Sequence, residues 1–391
     1  MDGIHSLMPR CQMTLSARKL RDAYARIPEA PFVHYGDWYY CMDEWKQQGM
    51  PQDVDQRELF LFEPPGGYDL FGLGWCEANF VPAFEEVIVE DRGEYEVVQD
   101  FAGRKVLCFK GRRSGFMPEY LDHPVKDLAT WERSVAWRMD PTCAARYADL
   151  EARMASAIAA AGEGRMISQR LVGSYMYLRS LIGPEELLFA FHDQPELIHA
   201  CMRQWLALAD AVTAAHQKYV TFDEVFLAED ICYNHGPLVG PDMMKEFLLP
   251  YEQQLLANIR RRQIDQQRHL YVQIDTDGDC RPTIELYTQA LGMDVMSPFE
   301  VASGCDVVEI GRQYPHLVIR GGIDKRVLAR SRGEIDAYLE RILPAMRRRG
   351  GYIPAIDHGV PAEVPYENYL HYRRRCVEHG GTILASVTQP A

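Results

Sequence analysis

From about residue 164 onward, short apolar runs alternate with helical segments. Met166–Ser168, Glu224–Leu227, His269–Ile274, Met293–Met296, Leu317–Ile319 and Gly351–Ile356 read as buried strands, each too short for a helix. Pro184–Ala190, Pro195–Tyr219, Pro241–Arg262, Pro282–Ala290, Gly333–Arg349 and Tyr366–Glu378 read as helices, with Pro195 suited to a first turn. Strands joined by helices of this length imply right-handed crossovers and a parallel sheet. Upstream, Leu128–Arg138 and Ala144–Ala161 read as helices, and Pro31–Gly36 and Tyr68–Trp75 as two more strands. About eight strands favour a closed (β/α)8 TIM barrel over an open sheet. No composition break reads as a linker, so residues 1–391 are expected to form one α/β barrel domain.

Residues 84–110 depart from that pattern. Phe84–Glu90, Tyr95–Gln99 and Lys105–Lys110 are short and rich in Val, Phe and Tyr, with glycine-containing breaks between them. They predict an antiparallel β-meander inserted into the N-terminal half. Arg112 and Arg113, which follow it, read as solvated.

Composition narrows the function classes. With 391 residues, 47% of them hydrophobic, the chain can bury a large core. A net charge of −14 argues against nucleic acid or an anionic membrane surface as the main partner. Met1–Gln12 has no apolar signal core and no apolar run reaches membrane-spanning length, so a cytoplasmic location is expected. The ten cysteines form no CxxC pair, which argues against a disulfide framework or a structural zinc finger.

The strand ends carry the chemistry. Successive strands run into Glu229-Asp230, Asp275-Thr276-Asp277-Gly278-Asp279, Glu300, Asp324 and Asp357-His358. In a barrel all of these ends face one mouth, and acids placed there need partners. Asp324, just before Lys325, reads equally well as a helix cap. For the rest, two uses stand open. The cluster can bind a metal through oxygen and imidazole ligands. It can also hold a proton-transfer pair, with like charges raising one carboxyl pKa and His358 supplying an imidazole. The Asp275–Asp279 turn is not a calcium loop, because its glycine is misplaced, the closing glutamate is missing and a strand precedes it. Gly321-Gly322 lacks a nucleotide-binding pattern.

From about residue 60 the chain resembles the uroporphyrinogen decarboxylase superfamily. The resemblance rests on Pro118-Glu119-Tyr120-Leu121, Pro124-Val125-Lys126-Asp127, Gly236–Pro241, the Asp275–Asp279 turn, Gly321-Gly322-Ile323-Asp324, and Asp357-His358-Gly359 through Pro365–Asn368. It implies a barrel, and either metal-free decarboxylation of a tetrapyrrole or zinc-dependent methyl transfer involving a corrinoid protein. Decarboxylases of the superfamily carry Arg-Gln-Ala-Gly-Arg after the first strand, where this chain reads Tyr35-Gly36-Asp37-Trp38-Tyr39-Tyr40. Thiol-using methyltransferases carry His-x-Cys where this chain has Asp275-Thr276-Asp277, and their distal cysteine falls near His358.

The resemblance and its departures imply an enzyme that demethylates a small methoxy-aromatic or methylamine-type substrate onto a separate corrinoid protein. Zinc would be held by Asp275, Asp277 and His358, with Glu300 as a fourth ligand or nearby base. Glu229 and Asp230 would orient the reactants, and Tyr35, Trp38, Tyr175 and Tyr177 would line the pocket. The alternative is a metal-free decarboxylase using His358 and Asp275 as an acid–base pair. A binding protein with a dead site would leave the acidic mouth without a use.

Overall fold

The computed structural model describes residues 13–34, 36–62, 70–74, 80–113 and 118–381. Strand β1 (Leu70–Leu73) comes first. β2 (Val87–Arg92), β3 (Tyr95–Gln99), β4 (Lys105–Phe109) and β5 (Glu119–Asp122) then form a four-stranded antiparallel sheet in chain order. Four strands lie where three were expected. The fourth, Glu-Tyr-Leu-Asp, has no apolar run to announce it and is recruited by pairing, with Tyr120 opposite Val106 and Glu119 opposite Leu107. Val98, Val106 and Cys108 form a small cluster on this sheet.

The remaining strands are β6 (Met166–Val172), β7 (Glu224–Ala228), β8 (Cys232–Tyr233), β9 (Gly236–Pro237), β10 (Tyr271–Asp275), β11 (Val295–Ser297), β12 (Val318–Arg320) and β13 (Tyr352–Ile353). Seven strands pair in the order β1-β6-β7-β10-β11-β12-β13. Every pairing in that sheet is parallel. β8 and β9 form a short antiparallel hairpin of their own.

Successive residues of a strand point to opposite faces, and here they join different cores. Ile167, Val225, Val272, Met296, Ile319 and Tyr352 belong to the main core with the helices. Their neighbours Met166, Val295, Val318 and Ile353 meet Leu70 and Val33 in a second, smaller cluster. Leu70 and Ile353 come from the two edge strands of the sheet, so the sheet is curled. The helix Leu15–Tyr24 inserts Leu20, Ala23 and Tyr24 into that cluster, at the end where the strands begin. It is tied there by Arg21 to Asp223 at 3.0 Å and by the Tyr24 hydroxyl to Glu224.

The expected first strand, Pro31–Gly36, differs from the reading. Among the described residues it joins no ladder; the Phe32 N–H goes to the Gly380 carbonyl at 3.0 Å. Val33 still packs inside the curl, so the segment keeps a strand's burial without a strand's pairing. Of Tyr68–Trp75, Leu70–Leu73 is strand, while Tyr68 and Trp75 lie outside the described residues. Among the described residues no helix is long and apolar enough to cross a membrane.

Candidate functional site

The C-terminal ends of β10, β11 and β13 bring three side chains together. Asp277, Glu300 and His358 each offer a ligand-type atom, and these atoms lie within 4.8 Å of one another. The Asp277 side chain follows β10 at a turn that only glycine can complete. Gly278 has φ +75°, and a Cβ there would lie 2.6 Å from the Tyr233 carbonyl oxygen. The same glycine donates its N–H to Glu300 Oε2 at 2.9 Å. One turn therefore places both carboxylates.

His358 Nε2 lies 3.2 Å from Asp277 Oδ2. That hydrogen bond, more than the opposing burial, holds the imidazole pKa above its ordinary value. Lys325 Nζ approaches Glu300 Oε1 at 3.3 Å. Asp357 ties the arrangement from behind: its buried carboxylate accepts the Val301 N–H at 3.0 Å and the Lys325 N–H at 3.2 Å. Burial pushes the Asp357 pKa up. Asp357 was among the acidic strand ends read from sequence, without a role of its own; Lys325 was not singled out as a site residue. Lys325 directly follows the acidic strand end at Asp324, which was the available signal.

The remaining site candidates separate. Asp275, expected as a ligand, is not in the three-residue group. Its carboxyl accepts the Ser297 hydroxyl, and burial raises its pKa. Ser297 is in turn fixed by Gln273 Nε2 at 2.8 Å. Asp230 pairs with Arg179. Glu229 is fully buried and caps the helix Ser174–Ile182, accepting the Tyr175 N–H at 3.0 Å and the Ser174 hydroxyl at 3.1 Å. Ser174 Oγ also lies 2.8 Å from Glu252, so two glutamates meet at one serine. Asp324 is a helix cap, accepting the Arg326 N–H at 2.9 Å.

Tyr175 and Tyr177, expected to line the pocket, are both fully buried on that same helix. The Tyr177 hydroxyl bonds to the Cys201 carbonyl at 3.2 Å, inside the core. Tyr35 lies outside the described residues. Trp38 is 72% exposed, and its ring centroid is 6.2 Å from that of His358. A cavity of about 730 Å³ opens beside the same segment, against Gly36, Asp37, Tyr39 and Phe62. The Asp277–Glu300–His358 group is not part of its wall.

The donor set suits a divalent metal. Two carboxylates and one imidazole match the three protein ligands of a catalytic zinc site, which leaves a further position open. Both Glu300 oxygens already accept a hydrogen bond, but each keeps a second lone pair. Among the described residues, no thiol joins the group. Cys280 and Cys305 lie buried beyond the turn with their sulfurs 3.9 Å apart.

The family model described as Uroporphyrinogen decarboxylase (URO-D) matches residues 169–378, more than half of the chain. The chain belongs to the uroporphyrinogen decarboxylase family. All three residues of the group, and every strand that carries them, fall inside the matched span. Among curated relatives, the uroporphyrinogen decarboxylase of Geobacter metallireducens is 26% identical over 178 residues, covering 45% of this chain and 49% of the relative. That of Geobacter sulfurreducens is 25% identical over 178 residues, with the same coverage. The match therefore spans about half the length of these relatives. Among solved structures, a methyltransferase from Methanosarcina mazei superposes with a TM-score of 0.58 at 14% identity, covering 93% of this chain and 98% of that one. At that identity the likeness is one of fold.

Proposed function

We propose that this family member is an enzyme that removes a methyl group from a small methoxy-aromatic or methylamine-type compound and delivers it to a separate corrinoid protein. The supporting observation is the Asp277–Glu300–His358 group, which among the described residues is an oxygen- and nitrogen-donor set without a thiol at the strand ends. We further propose a cytoplasmic, single-domain (β/α)8 barrel over residues 1–391, with the antiparallel sheet as an insertion. In it the Phe32–His34 segment closes the gap between β13 and β1.

Asp277, Glu300 and His358 would hold the metal, with Asp275 fixed just beneath them by Ser297. A zinc ion there would supply a Lewis acid for the leaving oxygen or nitrogen, and reduced cobalt on the partner would supply a nucleophile that no side chain here offers. The chain's own contribution is placement. Asp277 orients the His358 ring through their 3.2 Å contact, and as a metal ligand that imidazole would be neutral. Lys325 counters the charge of Glu300, and Asp357 fixes both of their loops. Asp230 and Arg179 form a second ion pair at the strand ends.

A metal-free decarboxylase is the second reading. It is favoured by the family description and by the basic side chains of His358 and Lys325 beside the two carboxylates. Two measurements on full-length protein separate the readings. Elemental analysis after purification without chelator should find about one zinc per chain. Incubation with methoxylated arenes and methylated amines should convert cob(I)alamin to methylcobalamin. Carbon dioxide release from a carboxylated substrate, with no need for cobalamin, would replace the first reading with the second.

A further inference from the structure

Resting on the methyl-transfer reading, we infer that the methylated substrate also carries a carboxylate, and that Arg170 on β6 is the residue that binds it.

Alternation along the strands defines the inner face of the curl. Met166, Val295 and Val318 reach the cluster at its closed end. Ser168 and Arg170, Ser297 and Arg320 share that face, closer to the mouth. Register sets Arg170 beside Phe226 and, one strand further, Gln273. Most of the polar groups here have partners. Glu224 accepts from the Tyr24 and Ser168 hydroxyls, Asp275 accepts from Ser297, and Gln273 donates to Ser297. Arg320 has acids around it: burial raises the pKa of Asp37, Asp275 and Glu224, and the charge of Arg320 opposes that rise in all three.

Arg170 is different. Among the described residues no oxygen accepts a hydrogen bond from its guanidinium and no carboxylate forms an ion pair with it. Glu224 feels its charge, but less than that of Arg320. The guanidinium stands 5.8 Å from the centroid of the half-buried Phe226 ring. Gly72 on β1 flanks it, and a Cβ there would lie 3.2 Å from Arg170 Nε. Gly72 is exposed and Arg170 only half-buried, so solvent reaches this depth of the curl. Arginine stays charged at any working pH, and its planar fork matches a carboxylate with two parallel hydrogen bonds. In this recess the guanidinium repels a methylated ammonium ion that has no carboxylate. A neutral ether leaves it unmatched, and an anion satisfies it. This holds whether or not the group at the mouth carries a metal.

The test is binding by calorimetry to full-length protein of two matched pairs, 3-methoxybenzoate against methoxybenzene and trimethylglycine against tetramethylammonium. We expect one of the two carboxylates to bind at least about tenfold more tightly than its counterpart. Either pair showing this preference supports the inference, and which pair does so distinguishes an ether from an amine. Arg170→Gln should reduce the preference to less than about twofold. Arg170→Lys, which keeps a point charge but loses the fork, should retain part of it. Arg170 makes no hydrogen bond to the described residues, so both variants should melt as the unaltered protein does. A purely structural role would weaken both members of a pair equally. Neither carboxylate binding, equal binding within each pair, or a preference that survives Arg170→Gln would each overturn the inference. Binding is read without cobalamin, separately from methyl transfer. Arg170-dependent binding of a carboxylate with no methyl moved to cobalamin supports this inference and defeats the transfer reading. Methyl transfer from methoxybenzene or tetramethylammonium as fast as from its carboxylated counterpart does the reverse.

Discussion

Two pairs of carboxylates gather around the ends of the same sheet's strands, one of them completed by a helix, and do different work. Glu229 meets Glu252 behind the sheet, where a serine hydroxyl and backbone N–H groups are their partners. Asp277 meets Glu300 at the mouth, where an imidazole and an ammonium group are their partners. Burial pushes the Glu252 pKa up to about 7 and that of Glu229 well above the ordinary value, so burial works against charge on this pair. The mouth pair keeps its cations and some solvent: the side chains of Asp277 and His358 are 38% and 27% exposed. A carboxylate at a strand end therefore becomes structural or chemical according to what the neighbouring segments place beside it.

The comparison can be broken by substitution. Asp277→Ala and His358→Ala should each lower turnover by about 10²- to 10⁴-fold, the usual span for a proton-transfer group, while moving the melting temperature little. Glu229→Ala should do the opposite. It uncaps the helix Ser174–Ile182 and leaves a buried hydroxyl and an N–H with fewer partners, at a cost of about 2–3 kcal/mol, read by urea unfolding. Should His358→Ala destabilise the fold as much as Glu229→Ala does, the two pairs would not be distinct in kind.

Acidity offers a subtler separation. The Glu252 pKa of about 7 in the fold lies above its ordinary 4.5. Its contribution to stability is therefore complete below about pH 4.5 and is lost as pH rises through 7. Glu252→Gln, which cannot ionise, should flatten that part of the decline in melting temperature between pH 5 and 8. An unchanged slope would remove the pair as its source. The smallest effect belongs to Asp324. Asp324→Ala should cost about 1 kcal/mol as a lost cap and leave turnover per folded molecule unchanged.

These contrasts mark what the sequence could and could not disclose. The β10 strand and its acidic turn were legible because an apolar run ends abruptly in carboxylates around one glycine. The capping alternative for Asp324 was legible because a cap depends only on nearby residues. Glu252 was not, since it lies within a helix and meets Glu229 only through the fold. Tyr175 and Tyr177 were misplaced for a related reason: sequence gives their distance from a strand end but not which side of the helix faces the core. Pro31–Gly36 has a strand's composition, yet pairing needs a neighbour in register, which no local pattern specifies. The exchange of Asp275 for Glu300 in the central group turns on Ser297, a residue without charge that drew no notice.

The helix Leu15–Tyr24 fixes the direction of traffic. Wedged among the first residues of the strands, it stops that end of the curl with leucine, alanine and tyrosine, so Asp277 and His358 are reached from the opposite side. A small molecule and a protein partner that both need those residues must share one doorway, and the larger would block the smaller. On the methyl-transfer proposal, kinetics should then be strictly ordered, with the small substrate admitted first and its demethylated product leaving only after the partner departs.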